Sequence, residues 1–263
     1  MASPGMGEVD GTCFSSSFFC FLWQKKVTRK LGWQLAGVFL LGVVQGLAGW
    51  VMVQSGLNDT DVSVSHIRLA VHFFLALVLL VYLFWLFLTI RLNSEPGLPS
   101  KRLWKVTLMI IILFGIQLIY GAFMAGTHAA LYARTWPDIN GFFLPVTPDL
   151  LRNFLRNVSY DPLLIQFIHR LLAYLLTALI FTWFFLTRQL PVNTWLFCLK
   201  SYPLMLVILQ VCLGIACLLN SGEPIFIWLA VLHQLNGILL LLSMVAALYF
   251  GDRCTTKASR EDL

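Results

Sequence analysis

The sequence predicts an all-α protein: a polytopic membrane helical bundle of six transmembrane helices, built as one and a half copies of a four-helix repeat. Three observations lead there. Of the 263 residues, 59% are hydrophobic and only 11% are Asp, Glu, Lys or Arg, whereas soluble domains carry about 25% charged residues. The apolar residues gather into six runs, each near the roughly 20 residues of helix needed to cross a bilayer core of about 30 Å. A short polar pattern also returns in alternate runs.

The first run, 32–54, follows Lys25, Lys26, Arg29 and Lys30. Before it lies "FSSSFFCFLW", residues 14–23, which is too short to span. Its positive charges follow the apolar part, the reverse of a signal peptide. It reads as a helix stub inside an atypical N-terminal segment, 1–31. The second run, 67–91, is reached through a loop containing Asp59 and Asp61 and completes a hairpin, 32–91. An inner loop, 92–102, ends in Lys101 and Arg102 and leads to the third run, 103–126. The long connection 127–161 contains "TWPDINGFFLPVTPD", whose Pro, Gly and Asn predict a folded cap. The fourth run is 162–187. Arg188 and Lys200 separate it from the fifth, 202–220, and Glu223 precedes the sixth, 224–250. A polar tail, 251–263, closes the chain. Basic residues therefore sit at one side of the membrane, so both termini are expected inside and the 127–161 cap outside.

The net charge of +6 is distributed in these flanks, without the basic stripe of a nucleic-acid binder; no nucleic acid is expected as a partner. Six cysteines show neither CxxC spacing nor a metal-type pairing with histidine. They are expected free, with Cys212 and Cys217 as small core residues. Asp59, Asp61 and Glu223 read as solvated loop residues, as do His66 and His128.

The recurring pattern is Gln-x-x-x-Gly in the first, third and fifth runs: Gln45/Gly49, Gln117/Gly121 and Gln210/Gly214. Each following run carries an early histidine: His72, His169 and His233. The unit is a Gln-helix, an outward loop and a His-helix, and the chain contains three. The i, i+4 spacing puts Gln and Gly on one helix face. There the glycine would admit a neighbouring backbone or a flat ligand, and the amide would hydrogen-bond across the gap; helix packing alone is the plainer reading. At 1.5 Å per residue the histidines lie roughly 8, 10 and 13 Å from the starts of their runs, in one layer of the outer half. Ionisable groups inside a membrane point to function.

Zinc would call for Cys or carboxylate companions. Axial ligation of haem iron needs only one imidazole from each of two facing helices, and apolar walls suit a porphyrin. His72, His169 and His233 are thus candidate metal ligands. Arg170, directly after His169, and Arg68, one turn before His72, are candidates to pair with haem propionates, the alternative being snorkelling to lipid headgroups.

The stretches "QGLAGWVMVQSGL", "VSHIRLAVH", "YGAFMAG" with "TWPDINGFFLP", "QFIHRLLAYLL" and "LAVLHQLNGILLL" together resemble the heme A synthase family, in the same order and from about Lys30 to Phe250. The loop departs from the family pattern at Ala130 and Arg134. The resemblance implies eight membrane helices in two four-helix halves related by pseudo-twofold symmetry. It implies that His169 and His233, in the 103–250 half, ligate a haem b cofactor, and that His72 is one axial ligand of a substrate haem. The implied reaction oxidises a methyl group of haem O to a formyl group, giving haem A for terminal oxidases. Two family helices before the first run, which carry the second substrate-site histidine and a catalytic glutamate, have no counterpart here. The alternative is therefore a truncated, non-catalytic haem b-binding or electron-transfer membrane protein. A transporter is the third reading, since repeated helices with central polar residues also mark transporters; the family motifs speak against it. The implied partners are haem O, haem O synthase or oxidase assembly factors, and the lipid bilayer, with a homo-oligomer left open. The implied location is a bacterial or mitochondrial inner membrane.

Overall fold

The computed structural model describes residues 28–56, 63–92, 101–144, 153–190 and 195–251. The stub 14–23, Asp59, Asp61 and residues 252–263 of the C-terminal tail lie outside the described residues. Six helices are long and apolar enough to cross a membrane. They are α1 (Arg29–Val53), α2 (His66–Leu92), α3 (Lys101–Gly126), α5 (Pro162–Thr187), α7 (Ser201–Leu219) with the short α6 (Trp195–Leu199) before it, and α8 (Phe226–Gly251). The remaining helix, α4 (Phe154–Tyr160), and a 3₁₀ turn at Ala129–Leu131 belong to the long connection. The protein is a multi-pass membrane protein, as its sequence predicts.

Helix ends follow local chemistry. Thr28 caps α1, its hydroxyl accepting from Leu31 N–H at 3.3 Å. Asp161 caps α5 by accepting from Leu163 and Leu164 N–H, each at 2.9 Å, and Pro162 at the first helical position has no N–H to leave unpaired. Pro203, in the first turn of α7, lacks the N–H that would continue a helix from α6, so the fifth span is split there.

Four helices form a ring. α3 packs on α5, α5 on α7, α7 on α8, and α8 on α3, so α5 and α8 occupy one diagonal. The α1–α2 hairpin docks onto this ring through α2, against α3 and α8. α1 packs on α2 and buries only Val38. Its Trp33, Leu47 and Trp50 are exposed, as befits a surface bathed in lipid, where burial of apolar groups between helices gains little.

The apolar core lies toward the basic end. Leu103, Ile110, Phe114, Leu176, Ile180, Trp183, Leu240 and Met244 form it. The Trp183 indole donates to Thr107 Oγ1 at 2.8 Å and the Thr107 hydroxyl to Leu103 O at 2.8 Å. This supplies the polar partner that a fully buried indole N–H requires. The histidines sit between that core and the cap. Two expectations about single residues are corrected. Cys212 is exposed and Cys217 half-buried, because the fifth span turns Cys212 toward lipid. His66 is no solvated loop residue: it opens α2, its imidazole bonds Ser159 O at 2.7 Å, and its ring meets Phe123 and Tyr160 edge-on. His128 is exposed, with a left-handed backbone at φ 52°.

Candidate functional site

Each hairpin brings its glutamine onto its histidine. Gln45 Nε2 lies 3.4 Å from His72 Nε2, Gln117 Nε2 3.4 Å from His169 Nε2, and Gln210 Nε2 3.2 Å from His233 Nε2. The glycine one turn along makes room for the ring. A Cβ on Gly49 would stand 2.8 Å from His72 Cε1, one on Gly214 3.0 Å from His233 Cε1, and one on Gly121 3.6 Å from His169 Cε1. Gln-x-x-x-Gly is therefore a histidine seat. The gap that the spacing predicts is occupied by the imidazole of the partner helix.

The seats share one level. Counted from the helix starts at His66, Pro162 and Phe226, His72, His169 and His233 lie about 9, 10.5 and 10.5 Å along their axes. In all three rings Nδ1 is buried without a hydrogen-bond partner, as are Gln45 Oε1 and Gln117 Oε1. The third seat differs. Asn236 Nδ2 donates to Leu206 O at 3.0 Å and to Gln210 Oε1 at 2.6 Å, and Gln210 Nε2 also donates to His233 O at 3.0 Å.

A cap closes over the ring from the 127–161 connection. Gln166, one turn before His169 and fully buried, donates through Nε2 to Ala129 O and Ala133 O at 3.3 and 3.0 Å. Arg170 donates to Asp138 O at 2.7 Å, Thr135 O at 2.9 Å and Gln166 Oε1 at 3.1 Å. Trp136 Nε1 reaches Tyr174 OH at 3.1 Å, and Ser221 Oγ donates to Ala130 O at 3.0 Å. The "ING" of the loop makes a tight reversal, with Asn140 and Gly141 at φ 53° and 88° and a bridge between Ile139 and Phe142, the geometry Asn-Gly favours. Hydrogen bonds involving the Thr135 side chain and the Gly141 N–H, together with nearby Arg170, hold the Asp138 carboxyl below its ordinary range.

Among the described residues, no three His, Cys, Asp or Glu side chains converge as a metal cluster. The donor set is separate imidazoles, each with one ring nitrogen on an amide and the other unpartnered. That suits a group bringing its own equatorial ligands and needing single nitrogens from the protein, as haem does.

The cytochrome oxidase assembly protein family (COX15-CtaA) matches residues 6–245. The chain belongs to the heme A synthase family. It is 35% identical over 239 residues to the heme A synthase of Nitrosospira multiformis, covering 89% of this chain and 66% of that protein. It is 33% identical over 256 residues to that of Erythrobacter litoralis, covering 97% and 73%. It is 35% identical over 251 residues to that of Maricaulis maris, covering 94% and 71%. The chain thus spans 66 to 73% of the length of these curated heme A synthases. The family match starts at residue 6, upstream of Lys30 where the motif resemblance begins, and so takes in most of the segment 1–31 that reads as atypical.

Of the expected site residues of this heme A synthase family member, His169 and His233 ride on the diagonal helices of one ring, and His72 stands in the adjoining hairpin. Arg68 is exposed and donates to Val51 O at 3.0 Å, satisfying a carbonyl at the end of α1. Arg170 spends three N–H groups on the cap and on Gln166. The sequence reading overlooked Gln166, Asn236 and Ser221. Gln166 and Asn236 carry the same signal as the glutamines of the seats, an amide where hydrocarbon is expected, three residues from a histidine.

Proposed function

We propose that this chain acts in haem A biosynthesis as a heme A synthase homologue, the methyl group of bound haem O being oxidised to a formyl group for use by terminal oxidases. The observation that carries the reading is the seated histidine, three times repeated at one depth, in a chain of this family. His169 and His233 would hold a haem b between the two hairpins of the ring, and His72 would hold the substrate haem. Bound haem b would supply one-electron chemistry to the site. The work of the chain's own residues is to seat and dry it: the glycines set the closeness of each ring, the amides orient it, and the Gln166–Arg170 pair ties down the cap that screens it from water. Arg68 and Arg170 retain N–H groups for propionates. Haem O synthase and oxidase assembly factors are the corresponding partners, in a bacterial or mitochondrial inner membrane.

A second reading, a non-catalytic haem b-binding or electron-transfer protein, is favoured by one observation: among the described residues α1 leaves Leu47 and Trp50 exposed on the hairpin of His72, and the other imidazole of that hairpin, His66, is engaged by Ser159 O. Two measurements separate the readings. Purified protein is expected to show six-coordinate, low-spin haem b absorbance that is lost in His169→Ala and His233→Ala; a colourless preparation from haem-replete cells would end both. Haem extracts of cells expressing the chain with haem O synthase are then compared. Haem A supports the synthase; haem O alone leaves the second reading standing.

A further inference from the structure

The three seats are chemically unequal, and the difference fixes a proton. Backbone carbonyls can only accept. Leu206 O, 3.0 Å from Asn236 Nδ2, therefore sets which end of the Asn236 side chain is its amide nitrogen. That nitrogen lies 2.6 Å from the Gln210 side chain, so the Gln210 atom facing it must be the oxygen. The Gln210 nitrogen is then turned to His233, where a second backbone carbonyl, His233 O, accepts at 3.0 Å and confirms the orientation. Its remaining proton points to His233 Nε2 at 3.2 Å. A nitrogen receiving an N–H must offer its electron pair, so the imidazole proton resides on Nδ1.

We infer that Asn236 is a positioning residue that, through Gln210, locks His233 in the Nδ1–H tautomer with its electron pair on Nε2. Gly237 supports the lock, since a Cβ there would stand 3.2 Å from Gln210 Nε2. The other seats have no such device. Three residues after His72 and His169 come Leu75 and Leu172, and Gln45 Oε1 and Gln117 Oε1 lack partners. Those two amides are free to invert, donating to one tautomer or accepting from the other. In this tautomer Nε2 is the nitrogen with an electron pair to offer, to the Gln210 amide here and, where the haem reading on which the functional sense rests holds, to iron in that amide's place. The tautomer itself follows from hydrogen bonding alone.

The test uses the full chain, haem-free, in detergent micelles, labelled with ¹⁵N-histidine, the His233 signals being assigned with a His233→Gln variant. His233 is expected with Nε2 unprotonated and an excess of the Nδ1–H form of about tenfold or more, since the wrong tautomer sets N–H against N–H. His72 and His169 are expected to populate both forms. Asn236→Leu should bring His233 to a similar mixture. A protonated Nε2 in wild-type His233, or the same single tautomer at all three histidines, would overturn the inference without any variant having to fold. A variant that folds and keeps the full excess would do the same. Because the measurement is made without haem, the lock can fail while haem b absorbance stands, and absorbance can fail while the lock stands.

Discussion

At the scale of single residues, the seat makes a graded prediction. Alanine at Gly49 or Gly214 would set a methyl 2.8 or 3.0 Å from an imidazole carbon, closer than side chains pack, whereas at Gly121 the distance is 3.6 Å, ordinary contact. Gly214→Ala is therefore expected to lower the haem-to-protein absorbance ratio several-fold, and Gly121→Ala to leave it near wild type. Equal losses in both would show that the glycines act through helix packing and not through the rings. Asp138 makes a different one. Its carboxyl is held below its ordinary range, so the stability it lends the cap is present above the unfolded-chain pKa and drains away as pH falls through the lower, folded value. Amide protection in 129–142, measured against the intrinsic exchange rate at each pH, should fall on acidification below that ordinary range, and Asp138→Asn should flatten the dependence.

These residues also show what a sequence can disclose. Gln45, Gln117 and Gln210 stand out because an amide in hydrocarbon demands a reason, and the spacing to glycine repeats. The filling of the gap by the histidine of the same hairpin is invisible in one dimension, since it depends on the approach of two helices. Cys212 fails as a core residue for the same reason: in lipid, composition does not separate the inside of a bundle from its outside.

At the scale of elements, the six spans are legible almost to the residue because a bilayer imposes length and polarity together. α4 is less so, being short and set in a polar connection, and with it goes the role of His66, which bonds Ser159 O and stacks edge-on to Tyr160. The α3–α5 pair carries a prediction of its own. Thr107 is the acceptor for the buried Trp183 indole at 2.8 Å, so Thr107→Val leaves that N–H unsatisfied. We expect a loss of about 1–3 kcal/mol, read as earlier unfolding in an SDS titration. Trp183→Phe combined with Thr107→Val should recover most of it, because both partners are then apolar.

At the scale of the whole molecule, the ring and the extra hairpin differ in how their surfaces are used. Trp33 and Trp50 on α1 are 72% and 63% exposed, while Trp183 is fully buried. In bilayers containing brominated lipid, fluorescence from Trp33 and Trp50 is expected to be strongly quenched and that from Trp183 spared. Trp33→Phe and Trp50→Phe should each remove quenchable signal, and Trp183→Phe should not. Protection of Trp33 and Trp50 would reveal a helical neighbour on α1. The ring's closure could not be foreseen from the repeat count alone, because pairing of α5 with α7 and of α8 with α3 is decided by side-chain fit across hairpins.

The shared level of the histidines has an electrical consequence. α5 has 26 residues, about 39 Å of helix, and His169 lies about 10.5 Å from its capped end. A charge reaching that level from the capped side crosses roughly a quarter of the membrane thickness, and from the opposite side roughly three quarters. At about 2.3 kcal/mol per charge for a full 100 mV, the shorter route meets about 0.6 kcal/mol of the field. Electrons or protons exchanged through the capped face would thus feel about a third of the voltage dependence felt by those exchanged through the far face.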